Sequence, residues 1–381
     1  MRRTVWLLPP LIGVLAWAAS SRADEAPTNA VAVLEEKLES GKVTLKYADD
    51  GHGWLESLLA ALNISPDTQV LPFTRSSLQF DHINPKAPRA VYFNDDVAVG
   101  AVHDGGLIEI IANDRRDGLA FYTLDTKDVV KPRLQREAQR CLSCHGMVNT
   151  LAPGWIVANI TPTADGTPVF ADPAHPFDFT DQTRPFVQRW GGWYVTGSSD
   201  GMIHRGNVTA PDINNPFDLP EGRTILDLSG HFDPKETLRP TSDIVALMTL
   251  EHQTGFIDRA AALNVRYSDA GLDDLVTYMT FGDEVKLPGP VSGNSGFATQ
   301  FSARGPRDAK GRSLRDFDLK VRLLRYPLSY MVYSSAFDAL KPDIKEKLWR
   351  RLYDALKGSD QGREAIAILA ATKRGLPDYW K

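Results

Sequence analysis

Short apolar runs separated by turn-forming residues fill much of the first third of the chain. The runs lie between clusters of aspartate, asparagine and glycine, at 90–93, 97–102, 107–112 and 119–124. Runs of this length and spacing predict an antiparallel meander. A short amphipathic helix is predicted before them at 54–62, and 24–50 is predicted to mix helix and coil.

The last third of the chain has apolar residues at helical spacing. Helices are predicted there at about 243–263, 272–280, 342–357 and 362–373, with Ser242 as the N-cap of the first. Between the two thirds, Asp165 and Gly166 separate two apolar runs that predict a hairpin at 155–160 and 167–170, and loops rich in proline and glycine follow. The pattern predicts an α+β fold, with a β-rich N-terminal region at 24–130 and a region at 131–381 that ends in helices.

The N-terminus has the layout of a secretory signal peptide. Two arginines precede an apolar run at 5–19, and the small residues Ser21 and Ala23 precede the first acidic residues. The run is short for a membrane span and two prolines interrupt it, so we expect cleavage after Ala23 rather than a retained anchor. The sequence thus predicts a signal peptide at 1–23, export, and no stable membrane insertion.

Composition and charge narrow the class of protein. Of the 381 residues, 43% are hydrophobic and 24% are charged, which fits a globular protein with one large or two modest domains. The formal net charge is −5, and it becomes −8 without residues 1–23, which hold three arginines and no acidic residue. We therefore expect no nucleic acid among the partners, since no block of basic residues offsets this charge.

Cysteine usage points to the chemistry. The chain has only two cysteines, Cys141 and Cys144, and His145 follows them directly. Cys-x-x-Cys-His is the sequence that attaches haem c, in which the thiols bond to the haem and the histidine is an axial ligand of its iron. The motif predicts one covalent haem c bound through Cys141 and Cys144, with His145 on the iron.

The spacing of the motif suits a helix. Positions i, i+3 and i+4 lie on one helix face, so both thiols and the imidazole can approach one ligand. Residues 133–140 are good helix formers that follow Pro132, which predicts a helix running into the motif. Gly146 then lets the chain leave the helix.

Several alternatives stay open. A thioredoxin-like dithiol normally follows a strand of a βαβ unit, whereas a helix is predicted before this pair. A structural zinc site needs further ligands, and no second Cys-x-x-Cys or His-x₃₋₅-His pair exists in the chain. A disulfide between Cys141 and Cys144 is strained and gives His145 no role. A compact all-helical cytochrome of roughly 100 residues conflicts with the hairpin predicted after the motif.

Six stretches resemble a family of largely uncharacterised bacterial cytochrome c domain proteins. They are 69–100, RCLSCHG at 140–146, RWGGWYVTG at 189–197, IHRGN at 203–207, 242–253 and 325–340. The similarity covers most of 50–357, and Leu328 stands where the family pattern has a cysteine. The resemblance implies haem c binding, a role in electron transfer, and export by the general secretory route, with no known substrate.

The second axial iron ligand is sought among the histidines and methionines outside the motif. The first candidate is His252, because Met248, His252, Gly255 and Arg259 share one stripe of the predicted helix, and a mid-helix glycine lets a flat macrocycle approach the backbone. His204 and Met248 are the other candidates. The alternative is that the stripe packs against the sheet and His252 bonds a backbone carbonyl.

Other pocket residues are suggested only by their type. Trp190 and Trp193 could form an apolar wall beside the haem, although ordinary core contacts explain them equally well. The haem propionates need cationic partners, for which the candidates are Arg189, Arg205 and Arg259.

Two functional classes follow from a haem c in an exported, periplasmic protein. An electron-transfer protein holds both axial positions with its own side chains and exchanges electrons with a redox partner protein. A haem enzyme of peroxidase or oxidase type, or a small-gas sensor, leaves the sixth position open for a small oxidant or ligand. Electron transfer is the main prediction.

Overall fold

We analysed a computed structural model of the chain, which describes residues 26–146, 152–170, 178–215 and 218–380. The predicted signal peptide at 1–23 lies outside these residues. The described residues form nine α-helices: α1 Ala30–Glu39, α2 Leu55–Ala61, α3 Gln139–His145, α4 Ile244–Val265, α5 Asp269–Met279, α6 Phe297–Ala303, α7 Ser335–Asp338, α8 Pro342–Leu356 and α9 Asp360–Thr372. None of these helices is long and apolar enough to cross a bilayer.

The described residues also form eleven strands: β1 Leu71–Pro72, β2 Ala90–Phe93, β3 Val97–Ala101, β4 Leu107–Asp114, β5 Gly118–Asp125, β6 Leu134–Glu137, β7 Trp193–Tyr194, β8 Ser198–Ser199, β9 Ile203–His204, β10 Gly222–Arg223 and β11 Val291–Ser292. With helices and an antiparallel sheet in separate parts of the chain, the α+β prediction is confirmed.

Strands β2 to β6 form one antiparallel sheet in sequence order. The predicted meander is confirmed for all four apolar runs. Asn94 explains the first tight turn, because its side-chain oxygen accepts the backbone N–H of Asp96 at 3.0 Å and of Val97 at 2.9 Å. The register places Ala98 opposite Ile111 and Ile111 opposite Phe121.

Both faces of the sheet are buried, and each faces a different core. On one face, Tyr92, Val99 and Ile110 pack with α1 and α2. On the other face, Phe93 and Phe121 join the larger core that contains α4 and the C-terminal helices. Successive side chains of a strand point to opposite faces, so each strand contributes to both cores. Full burial of such a side chain is worth about 1.5–3 kcal/mol.

The helix predicted at 133–140 is wrong in its first half. Residues Leu134–Glu137 form β6, which pairs with β5 through Leu124 opposite Leu134 and Phe121 opposite Glu137. The open edge of β5 offers backbone hydrogen bonds, and burial of Leu134 adds apolar contact, so tertiary pairing overrides a weak helix propensity. The sheet therefore extends beyond residue 130.

Helix α4 is buried along most of its length and runs through the larger core. Its N-cap is Asp243 rather than the predicted Ser242: the Asp243 carboxylate accepts the N–H of Val245 at 2.8 Å and of Ala246 at 3.2 Å. The Ser242 hydroxyl instead accepts the N–H of Leu71 at 3.0 Å. The other predicted C-terminal helices are confirmed as α5, α8 and α9.

The hairpin predicted around Asp165 and Gly166 forms over a shorter length than predicted: Thr163 donates its N–H to the Thr167 carbonyl at 2.9 Å, and Val169 donates to the Thr161 carbonyl at 3.2 Å. An isolated bridge joins Pro162 and Pro168, and no strand forms in the described residues 152–170. The Ile160 N–H bonds the carbonyl of Gly191 at 3.0 Å rather than a partner across the turn. The local pairing is therefore limited to the residues next to the turn, and Ile160 pairs with a distant loop instead.

Candidate haem site

The Cys-x-x-Cys-His sequence lies on α3, as predicted. The helix ends where Gly146 donates its N–H to the carbonyl of Leu142 at 2.9 Å. Cys141 is half-buried against the larger core, Cys144 is exposed, and both are free thiols. The strand before the helix, β6, is antiparallel to its neighbour, so the pair does not follow the parallel strand of a thioredoxin-like βαβ unit.

One ring nitrogen of His145 forms a hydrogen bond, and the other has no partner among the described residues. Its Nδ1 lies 2.8 Å from the carbonyl oxygen of Gly154. A carbonyl only accepts, so Nδ1 carries the proton and Nε2 keeps its lone pair. No described residue hydrogen-bonds Nε2. Burial lowers the pKa of His145, which favours the neutral imidazole that metals bind.

The motif opens onto a cavity of about 330 Å³ on the face of the sheet that carries Phe93 and Phe121. Its wall is mainly apolar, and this volume is within the usual range for ligand pockets. The apolar lining includes Val91, Ala98, Ile111, Phe121, Trp155 and Leu250. The ring of Phe121 lies 5.1 Å from that of His145, centroid to centroid, so the sheet supports the imidazole directly.

The two predicted wall tryptophans lie in different places. Trp193 lines the cavity, and its indole N–H donates to the carbonyl of Ala158 at 2.5 Å. Trp190 does not line it; its ring packs edge-on against His204 with the centroids 5.1 Å apart.

The described lining of the cavity lacks all three arginines named as propionate partners, Arg189, Arg205 and Arg259. Arg189 is buried in an ion pair with Glu251 at 3.2 Å, and Arg259 pairs with Asp181 at 3.0 Å. The charged residues that do line the cavity are Arg75, Arg89, Arg140 and Glu109.

His252 does not meet the motif. It is fully buried in the larger core and does not line the cavity. The side-chain amide of Gln182 donates to the Tyr278 carbonyl at 3.0 Å, which fixes its oxygen towards His252 Nδ1 at 2.6 Å. Nδ1 therefore carries the proton, and Nε2 accepts the Ser329 hydroxyl at 2.7 Å. With both nitrogens bonded, His252 has no lone pair free for iron in this arrangement.

The predicted stripe on α4, formed by Met248, His252, Gly255 and Arg259, does not line the cavity. A Cβ built on Gly255 would lie 2.6 Å from Cζ of Tyr278, so the glycine makes room for a tyrosine rather than a macrocycle. Tyr278 donates its hydroxyl to the carbonyl of His252 at 3.2 Å. The face of α4 that reaches the cavity instead presents Leu250 and Thr254.

His204 is also occupied elsewhere. It is fully buried, its Nδ1 accepts the N–H of Gly206 at 3.0 Å, and its Nε2 lies 3.3 Å from the Thr224 hydroxyl. Burial lowers the pKa of His204 to about 4. Met248 is buried in the core without lining the cavity.

Among the described residues that line the cavity, His145 is the one histidine, and no methionine joins it. His175 and Met147 lie outside the described residues. Within the described ranges, no three residues of the histidine, cysteine, aspartate and glutamate types are grouped to hold a metal ion, so the zinc alternative finds no ligand set there.

Sequence inspection missed the polar residues of the cavity, Arg89 and Glu109. Their signal was weak: Glu109 follows the alternation of β4, Arg89 directly precedes β2, and only the register brings them to one face.

No family model, curated protein or solved structure matches the chain. The resemblance to cytochrome c domain proteins therefore stays a prediction.

Proposed function

We propose that this protein is an exported, periplasmic cytochrome with one haem c bonded to Cys141 and Cys144 and ligated by His145. The observation that supports this most strongly is the state of His145, whose Nδ1 is tied to the Gly154 carbonyl while Nε2 has no described partner beside a mainly apolar cavity. This is the usual arrangement of a ligating histidine, in which a second hydrogen bond orients the ring. Two free thiols on the same helix are available for covalent attachment of the haem.

Haem iron, when bound, supplies one-electron chemistry. The chain would contribute attachment through two thiols, ring orientation through Gly154, and exclusion of water by Phe121, Trp155 and Trp193. Exclusion of water matters because burial and hydrogen bonding set the potential of the iron.

We propose electron transfer as the role. Cys144 is exposed while Cys141 contacts the core, so the attachment helix joins the protein surface to the cavity. A redox partner protein can therefore approach the attachment site without a change of fold. The partner in this proposal is another protein or a small oxidant or reductant.

One observation favours a second function. Within the described lining, no imidazole or thioether besides His145 faces the cavity as a second iron ligand. A position left open suits a haem enzyme or small-gas sensor, which binds peroxide, O₂, NO or CO.

Attachment is tested by expressing the full chain together with haem-attachment machinery. We expect the red colour to survive acid–acetone extraction and the mass to rise by one haem. Cys144→Ser should lose one thioether bond and most of the haem-loaded product. Clean extraction of haem from the wild type would refute the proposal.

The two functions are separated by the absorption spectrum of the reduced protein with and without CO. Rapid CO binding favours the enzyme or sensor, because it needs an open sixth position. A spectrum that does not change favours electron transfer, because a protein side chain then holds that position.

A further inference from the structure

The Arg89 side chain crosses strand β3 to reach the cavity. It precedes β2, and the register places Val91 opposite Gly100 and Gly100 opposite Glu109. The guanidinium passes over β3 at Gly100, where an added Cβ would lie 2.5 Å from Arg89 Nε. Glycine at this strand position is therefore what gives the side chain its path.

Beyond Gly100 the guanidinium meets Glu109, with Arg89 Nη2 3.2 Å from Glu109 Oε2. The carboxylate is itself held in place, since its Oε1 accepts the N–H of Leu78 at 3.1 Å. The pair lies on the face of the sheet that carries Phe121, and both residues line the cavity.

Arg89 differs from the other two arginines of the cavity. Arg75 donates to the Ile83 carbonyl at 3.3 Å, and Arg140 donates to the Glu137 carboxylate at 3.2 Å. The Arg89 side chain is only 23% exposed, yet its buried Nε has no acceptor among the described residues. A guanidinium has five N–H donors, and one ion pair leaves most of them unused. Unfilled buried donors in a ligand cavity indicate a missing acceptor.

We infer that Arg89 binds a carboxylate of the haem, a propionate, and that Gly100 and Glu109 position it to do so. This inference rests on the proposed haem c. A guanidinium matches a carboxylate through two parallel N–H bonds, and the proposed ligand carries two carboxylates into a cavity with few other free donors. Arg89 thus compensates propionate charge and raises the potential of the iron, because an uncompensated carboxylate favours the more positive ferric state.

The test measures the reduction potential of the haem-loaded full chain by spectroelectrochemistry, with covalent haem content from a denaturing gel as the second readout. Arg89→Gln removes the charge, and Gly100→Ala displaces the guanidinium without any change of charge. We expect both to lower the equilibrium constant for reduction at least about tenfold, which is 59 mV for one electron. Arg363→Gln, which removes a charge on α9 outside the cavity lining, and Gly358→Ala are the controls, and we expect each to change it less than about twofold.

The outcomes separate this inference from the proposed function. A wild type without covalent haem would refute the function, whereas loaded Arg89→Gln and Gly100→Ala proteins with wild-type potentials would refute only the role of Arg89. If Arg89→Gln does not load, Gly100→Ala decides: a wild-type potential in that variant overturns the inference. A potential that responds to added sodium phosphate in the wild type but not in Arg89→Gln would assign Arg89 to a free oxyanion, and would overturn the propionate assignment.

Discussion

His145 on α3 and His252 on α4 are two imidazoles with neutral rings and opposite surroundings. His145 sits half-buried at a cavity, with Nδ1 bonded to a backbone carbonyl and Nε2 without a described partner. His252 is fully buried, with Nδ1 on Gln182 and Nε2 on Ser329. The difference teaches that a candidate metal ligand is recognised by one nitrogen held and the other free, rather than by burial.

The largest effect is expected when each imidazole is removed in turn. His145→Ala should abolish the low-spin spectrum or stop haem attachment, because iron loses its fixed ligand. His252→Ala should keep the haem spectrum but lose about 2–4 kcal/mol of stability, because it leaves a cavity and unsatisfied Gln182 and Ser329 groups. Spectra and denaturant unfolding of the haem-loaded proteins measure both.

A reversed pattern would overturn the comparison. If His252→Ala became high-spin while His145→Ala kept a low-spin spectrum, the ligand would lie on α4. The double variant His252→Ala, His204→Ala serves as the control for a second imidazole that moves to the iron.

The next effect contrasts two ion pairs, one beside each histidine. Glu251 pairs with buried Arg189 at 3.2 Å and accepts the Thr180 hydroxyl at 2.6 Å. Glu251→Ala should cost about 3–5 kcal/mol, because it leaves a buried guanidinium unpaired. Glu137→Ala, which removes the partner of exposed Arg140 on α3, should cost at most about 1 kcal/mol. Equal losses in urea unfolding would contradict this ranking.

Acid should destabilise the fold through two buried neutral histidines, His252 on α4 and His204 on β9. Burial lowers the pKa of His252 to about 3 and of His204 to about 4, from an ordinary value of 6.5. Between these values the unfolded chain binds protons that the folded chain does not, so stability falls as pH drops below about 6.5. Each histidine should cost about 2 kcal/mol at pH 5 relative to pH 7, since one pKa unit is 1.36 kcal/mol.

The measurement is the urea midpoint at pH 7 and pH 5, for the wild type and His252→Gln. The substitution removes one of the two titrating rings, so the loss between the two pH values should shrink by about half of the predicted histidine contribution. A wild-type loss that His252→Gln leaves unchanged would show that other groups carry the pH dependence.

The last effect concerns Gly255. Gly255→Ala should cost about 1–3 kcal/mol, because the new methyl group overlaps the Tyr278 ring and hydroxyl, and it should leave the haem spectrum unchanged. Gly358→Ala is the matched control, since nothing lies within 4 Å of its added Cβ. A spectral change in Gly255→Ala with normal stability would instead place the haem against the Gly255 side of α4.

Local pattern predicted much of the fold. The four apolar runs became β2 to β5, and the helical spacing of the last third became α4, α5, α8 and α9. These predictions succeed because each depends on residues a few positions apart. The prediction at 133–140 fails because the edge of β5, rather than helix propensity, decides the conformation of Leu134–Glu137.

The sequence by itself determined the helical placement of Cys141, Cys144 and His145, because their spacing is fixed by covalent connection and one turn of helix. Only the tertiary structure decided which histidine keeps a ring nitrogen without a partner among the described residues. The two ring nitrogens of His252 are bonded to Gln182 and Ser329, which lie 70 and 77 residues away along the chain. Arg89 likewise depends on the register of three strands. Buried polar groups must be satisfied by whatever the fold brings near them, and no local pattern specifies those distant partners.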